Sequence, residues 1–252
     1  MQIYGINPVL EALRAKRVTK LRVSARSDKR IDEILALASK QGISIERVDP
    51  QALDRASKGG VHQGVVADVQ DARDFSIKEL VRPAEDSVAS AFRRKNPLIV
   101  VLDGIEDPHN VGAILRTCDA AGATGVVRQA RHAAALDGVV AKASAGAVAH
   151  VRIATVVNIA RAIEELKEAQ VWTIGLAGEA TEAYTDVDWR LPSAVVLGAE
   201  GTGLRRLVRE RCDRLVQLPM LGAVDSLNVS VAAGVVLYEA VRQRAGRNSH
   251  KG

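Results

Sequence analysis

The sequence predicts an α/β protein whose main body is a largely parallel sheet flanked by helices, preceded by a smaller α/β module. Three observations carry this expectation. From Leu98 onward, unbroken apolar runs (LIVVLDGI, TGVV, HVRIA, VWTIGLA, SAVVLGAE and RLVQLP) alternate with helical stretches. Continuous rather than alternating apolarity marks strands covered on both faces, as in parallel sheets. Residues 71–96 break the pattern with acidic, serine and Arg-Arg-Lys content ending at Pro97, which reads as a linker with room for one short helix. The charge divides at the same place: residues 1–95 hold 18 Lys and Arg against 13 Asp and Glu, while residues 96–252 hold 17 of each.

In chain order, the front module predicts a helix over 8–15, a strand over 21–24 and a second helix over 31–40. The second helix follows from Ile31, Ile34, Leu35 and Ala38 recurring at helical spacing. Extended runs at 43–48 and 64–69 are set off by Asp49-Pro50 and Lys58-Gly59-Gly60. After the first long strand a helix begins around Pro108, with Val111, Ile114, Leu115 and Cys118 as its apolar stripe. On a 100° wheel Arg116 points away from that stripe, toward a partner. The expected division is a front module over 1–70, a linker over 71–96, a main domain over 97–247 and a frayed basic tail over 248–252.

Composition excludes whole classes of function. Of 252 residues 47% are apolar and 26% charged, a globular balance that rules out disorder, collagen and coiled coil. Aromatics make up 3%, so an RNA surface here cannot rest on many stacking platforms and must grip through Lys and Arg. The net charge of +5, held in residues 1–95, points to a polyanion, most simply a nucleic acid. Cys118 and Cys212 are far apart and suit a reducing compartment, not a disulfide framework. The start MQIYGINPVLEALRAKRV lacks a signal peptide's apolar core, and Val229 to Tyr238 is about half the length of a membrane helix. A cytoplasmic protein outside the membrane is expected. None of the five histidines has a partner at metal-ligand spacing, so no metal is expected either.

Three stretches carry chemistry. In LDGIEDPHNVGAILRTCDAAGATGVV, residues 102–127, Asn110 stands where a helix cap or a functional amide would stand, and His109 is a lone turn histidine. In SAVVLGAEGTGLRRLV, residues 193–208, an apolar strand runs into Gly198, Glu200, Gly201 and Gly203. The glycine order GxxGxG matches neither the dinucleotide fingerprint nor a Walker loop, so a phosphate cradle is not supported. Glu200 stands out, because a turn does not need a carboxylate. In LPMLGAVDSLNVSVAAGVVLYEAV, residues 218–241, Ser226, Asn228 and Ser230 precede or open a helix rich in small residues, as caps or as site groups.

Taken together, NVGAILRTCDAAG, LGAEGTGLRR and LPMLGAVDSLNVSVAAGVVLYE resemble, in order and spacing, the three motifs of the SpoU family of RNA ribose 2′-O-methyltransferases, part of the knotted SPOUT superfamily. The front module, with YGINPVLEAL and HQGVVADV, is similar to that family's substrate-binding domain of ribosomal-protein-L30e type. The resemblance implies a deep trefoil-knotted domain behind the L30e-like module, a rare exception to the rule against threaded connections. It implies S-adenosylmethionine as cofactor, held at Gly198, Leu218, Met220 and Leu227. It implies Arg116, Asn110, Glu200, Ser226 and Asn228 as the catalytic set, with Arg116 either a general base or a group that holds phosphate and the developing alkoxide. A guanosine of large-subunit ribosomal RNA is the implied substrate, with a transfer RNA or an inactive assembly factor as alternatives. A homodimer through the motif-one and C-terminal helices is implied too, and no metal, because the sulfonium supplies the leaving group. RQARHAAALDG is poorer in polar groups than the family pattern, which leaves substrate contacts at Arg128 to His132 open.

Overall fold

Apolar, β-branched runs in the first 70 residues pair into a four-stranded sheet. The computed structural model describes residues 1–25, 29–70, 73–82 and 96–245. Its opening elements are β1 (Gln2–Tyr4), α1 (Ile6–Arg14), β2 (Val18–Val23), α2 (Lys29–Lys40), β3 (Ser44–Arg47), α3 (Pro50–Ala56) and β4 (Val65–Val69). The order across the sheet is β1-β4-β2-β3, antiparallel except between β2 and β3. Helix α1 buries Ile6, Val9, Leu10 and Leu13, and α2 buries Ile31, Ile34 and Ala38, the spacing that predicts these helices. Two elements escape the pattern. β1 has three residues, too few to show a period, and α3 starts at Pro50, read from sequence as a break. Proline suits the first turn of a helix, where its missing N–H has no intrahelical partner to lose.

Beyond residue 70 come α4 (Ile77–Val81), β5 (Leu98–Asp103), α5 (Pro108–Ala121), β6 (Gly125–Gln129), α6 (Gly138–Ala143), β7 (Ile153–Val156), α7 (Ile159–Glu168), β8 (Trp172–Leu176), β9 (Glu182–Ala183), β10 (Ser193–Gly198), α8 (Arg206–Arg211), β11 (Arg214–Gln217) and α9 (Val229–Ala245). Seven strands form one sheet in the order β7-β6-β5-β10-β8-β11-β9, every adjacent pair parallel. The two-residue β9 is the one strand no apolar run announces. Ile99, Val101, Val127, Ala194 and Val196 form a core with Ile159, Ile163 and Leu166 of α7. Within residues 71–96, where one short helix is expected, α4 is capped by Ser76 and Glu79 in a reciprocal box, and its Ile77 and Leu80 join the same core. Residues 83–95 and the basic tail from 246 lie outside the described residues. Near the end of α9, Arg244 donates to the carbonyls of Asn96, Pro97, Trp189 and Leu191, a strap that holds the helix to the start of β5. Burial pushes its guanidinium down to about 10.

The chain divides into two compact units: Met1–Ala72 with Pro108–Arg116 and Ala134–His150, and Arg73–Asp107 with Thr117–Ala133 and Val151–Gly252. In the first, α5 lies so close to α6 that a Cβ on Gly112 would stand 2.3 Å from the Ala143 Cβ. The segment around α6 is tied in turn to the front elements. Lys142 Nζ donates to the Val61 carbonyl at 2.7 Å, and His150 Nε2 lies 2.8 Å from Glu11 Oε2. Among the described residues no helix is long and apolar enough to cross a membrane.

Candidate functional site

Parallel strands send all their following loops to one end of a sheet, and ligands of such sheets sit there. In the second unit the loops after β8, β10 and β11 enclose a cleft of about 1050 Å³. It is lined by Gly198, Glu200, Leu218, Met220, Ser226, Leu227 and Asn228, so seven of the nine expected site residues share one cavity.

The loop after β10 folds back on itself. Ala199 and Gly203 exchange backbone hydrogen bonds at 3.2 and 2.9 Å, and Gly203 takes a φ of +65° that favours glycine. At Gly198 the constraint is steric. A Cβ there would lie 2.2 Å from the Gly203 carbonyl carbon. Asn228 joins this loop to the next one. Its Oδ1 accepts from the Ser230 N–H at 2.9 Å and the Ser230 hydroxyl at 2.6 Å, capping α9. Its Nδ2 donates to Glu200 Oε1 at 2.7 Å. Asn228 therefore caps α9 and ties it to Glu200 across the cleft lining, with its two amide atoms divided between the contacts. Ser226, exposed, donates to its neighbour Asp225 at 3.0 Å.

The lining carries charge of one sign. Glu179, Glu200 and Asp225 face the cleft, and no Lys or Arg is among its lining residues. Such a cavity attracts a cation and repels a polyphosphate, which agrees with the failed match to phosphate-binding glycine loops. Glu179, which pairs with Arg209, lies after the apolar run VWTIGLA and gave no motif in sequence.

Asn110 and Arg116 belong to the first unit. Asn110 is buried and is the third residue of α5, inside the first turn, so the expected cap position falls earlier, at Asp107. Arg116 is exposed, as the wheel predicts, and makes no ion pair or hydrogen bond with the described residues. Of the stretch 128–132, Arg128 and Gln129 are buried at the end of β6, whereas Arg131 and His132 are exposed.

Covalent chemistry finds no nucleophile in the cysteines. Burial pushes the thiols of Cys118 and Cys212 up to about 12, so both are protonated at neutral pH. Methylation at a pyrimidine carbon by way of a cysteine thiolate is not served by these side chains. Among the described residues, no group of three or more His, Cys, Asp or Glu is placed to hold a metal ion.

Known proteins match nearly the whole chain. The SpoU rRNA Methylase family matches residues 97–238, and the family described as RNA 2′-O ribose methyltransferase substrate binding matches residues 2–75. The 23S rRNA (guanosine-2′-O-)-methyltransferase RlmB of Haemophilus influenzae is 43% identical, covering 97% of this chain and 98% of its own. The enzyme of the same name from Pseudomonas putida is 44% identical, covering 96% of each. Among solved structures, the SpoU methyltransferase AviRb from Streptomyces viridochromogenes, in complex with the cofactor AdoMet, superposes with a TM-score of 0.81 at 26% identity, covering 98% of this chain and 91% of that one. On the strength of the matched motifs, the parallel sheet and the cleft at its carboxyl end, the chain belongs to the SpoU rRNA methylase family.

Proposed function

We propose that this SpoU-family methyltransferase moves a methyl group from S-adenosylmethionine to the ribose 2′-oxygen of a guanosine in 23S ribosomal RNA. One observation carries the reading: a glycine-rich, acid-lined cleft built from motifs two and three, in a chain similar to the RlmB enzymes over nearly its full length. The residues present fit the cofactor. S-adenosylmethionine carries a net positive charge, matched by the lining carboxylates, and its adenine suits a cradle of Leu197, Leu218 and Leu227 between backbone amides. Gly198, Leu218, Met220 and Leu227 would hold it. When bound, it supplies an activated methyl on a sulfonium.

The protein must then align the ribose oxygen and manage its charge. Arg116, exposed and without a protein partner among the described residues, is assigned to the RNA. A guanidinium offers five N–H donors and no acceptor, so its task is to hold the phosphate and the developing alkoxide. Glu200 and Asn228 act as a hydrogen-bonded pair that orients the ribose, with Ser226 beside them and Asn110 supporting motif one.

The same reading extends to assembly. The boundaries 1–70, 71–96, 97–247 and 248–252 separate RNA grip from chemistry, and the catalytic part takes the family's trefoil knot. Two copies pair through α9, whose exposed Val231, Val235 and Tyr238 recur at helical spacing. Val235→Asp is expected to shift sedimentation from dimer to monomer, and an unchanged dimer would remove α9 from the interface. The compartment is the cytoplasm, where the ribosomal RNA is made.

Labelled S-adenosylmethionine offered with 23S RNA, 16S RNA and bulk transfer RNA tests the substrate. Label is expected in 23S RNA at a single guanosine. Incorporation into transfer RNA alone would overturn the ribosomal assignment.

A further inference from the structure

Asp103 ends β5 with its side chain wholly buried, although it lines neither the apolar core nor the cleft. Both its oxygens are taken by one residue. The Arg205 backbone N–H donates to Oδ2 at 2.9 Å, Arg205 Nε donates to Oδ1 at 2.6 Å, and Nη2 pairs with Oδ1 as well. On its other side the sheet register sets Asp103 beside Gly198, the last residue of β10.

Gly198 and Arg205 are the two ends of the loop that carries Glu200. The loop is closed on itself by the Ala199 and Gly203 hydrogen bonds, and Glu200 reaches from it to Asn228 at the start of α9. The Asp103 carboxylate therefore fixes where this closed loop ends, at Arg205, while the backbone register of β5 and β10 fixes where it leaves the sheet, at Gly198. Burying a charge costs free energy that a packed aliphatic residue at the strand end would not. A surface turn needs no such anchor, whereas a loop that must hold a carboxylate at a fixed height does. Arg205 is half exposed, yet its guanidinium is paired with the fully buried carboxylate.

We propose that Asp103 and Arg205 are positioning residues: their pairing clamps the loop 199–204 and so sets the cleft rim and Glu200 for the cofactor. The structural half stands on the geometry above, and the functional half rests on reading the cleft as the S-adenosylmethionine site. Neither residue lines the cleft, so the clamp acts on cofactor affinity through the loop it holds.

Two variants test it in the full chain. Arg205→Ala keeps the backbone donor to Asp103 and removes only a half-exposed side chain, and Asp103→Asn keeps the shape and removes the charge. In ligand-free protein, amide exchange across 199–204 is expected to rise about ten- to hundredfold in both, the loss of charge-assisted hydrogen bonds, with β5 and β10 still protected. Arg205→Lys, with one donor in place of a fork, is expected to fall between Arg205→Ala and wild type. By calorimetry the S-adenosylmethionine Kd rises by a comparable factor, while RNA affinity stays within about twofold. Wild-type exchange in Arg205→Ala and Asp103→Asn would overturn the clamp. Raised exchange with unchanged cofactor affinity would overturn its functional role. Wild-type protein that binds no S-adenosylmethionine would instead sink the cofactor reading, with the exchange result still deciding the clamp.

Discussion

Gly198→Val is expected to abolish S-adenosylmethionine binding while leaving the sheet folded. The added Cβ would lie 2.2 Å from the carbonyl carbon of Gly203, 2.4 Å from its oxygen and 2.4 Å from the Leu204 nitrogen. All three are backbone atoms, so no side-chain rotation relieves the clash. The loop must swing away from β10, which breaks the Ala199 and Gly203 pairing and moves Glu200 from Asn228. Because the change is confined to the end of a strand whose preceding residues stay paired to β5 and β8, the stability loss should be about 1–3 kcal/mol, typical of overpacking. A displacement of about 1 Å at a binding loop can cost a hundredfold, and this clash demands more. Calorimetry beside a thermal melt reads both effects. Wild-type affinity in a folded Gly198→Val protein would mean that the cofactor sits elsewhere.

The second large effect is expected at Arg116. Arg116→Ala should lower methyl transfer by about a hundred- to a thousandfold, the usual consequence of deleting a group that stabilises a developing oxyanion. The S-adenosylmethionine Kd should stay within about twofold, because Arg116 is not among the residues lining the cleft. Arg116→Lys sharpens the result. Lysine keeps the charge and loses the planar fork, so recovery of most of the rate would identify simple electrostatics, and failure to recover would identify bidentate phosphate recognition. Single-turnover rates at saturating cofactor separate these effects from binding. Wild-type turnover in Arg116→Ala would remove the residue from the mechanism.

Strands buried on both faces announce themselves, because nothing but apolar residues is tolerated there, and β5, β8 and β10 fall within the predicted runs. β1 and β9 do not, since two or three residues cannot show a period, and α3 hides behind a proline that breaks helices everywhere but at their start. Of the cleft, Glu200 alone stands out by residue type, because a turn needs no carboxylate. Gly198, Ser226 and Asn228 read equally as turn or cap residues, and with Leu218, Met220 and Leu227 they are named by the resemblance to the SpoU motifs; the cavity gathers all seven. Asp103 was invisible as a functional residue because its meaning lies in a partner 102 positions away. Glu179 was missed for want of a motif, though it lines the cleft and pairs with Arg209. The packing of α6 against the front elements could not be read either, since its contacts, Lys142 to the Val61 carbonyl and Gly138 against Tyr4, join residues far apart in sequence.

The central claim, that the transferred methyl ends on a ribose oxygen, is tested most directly by alkaline hydrolysis of RNA labelled by the protein. Alkali cleaves RNA through the free 2′-hydroxyl, so a nucleotide methylated there resists cleavage at its 3′ side. The label is expected in alkali-resistant dinucleotides whose 5′ residue is guanosine. Label released entirely in mononucleotides would place the methyl on a base and contradict the account.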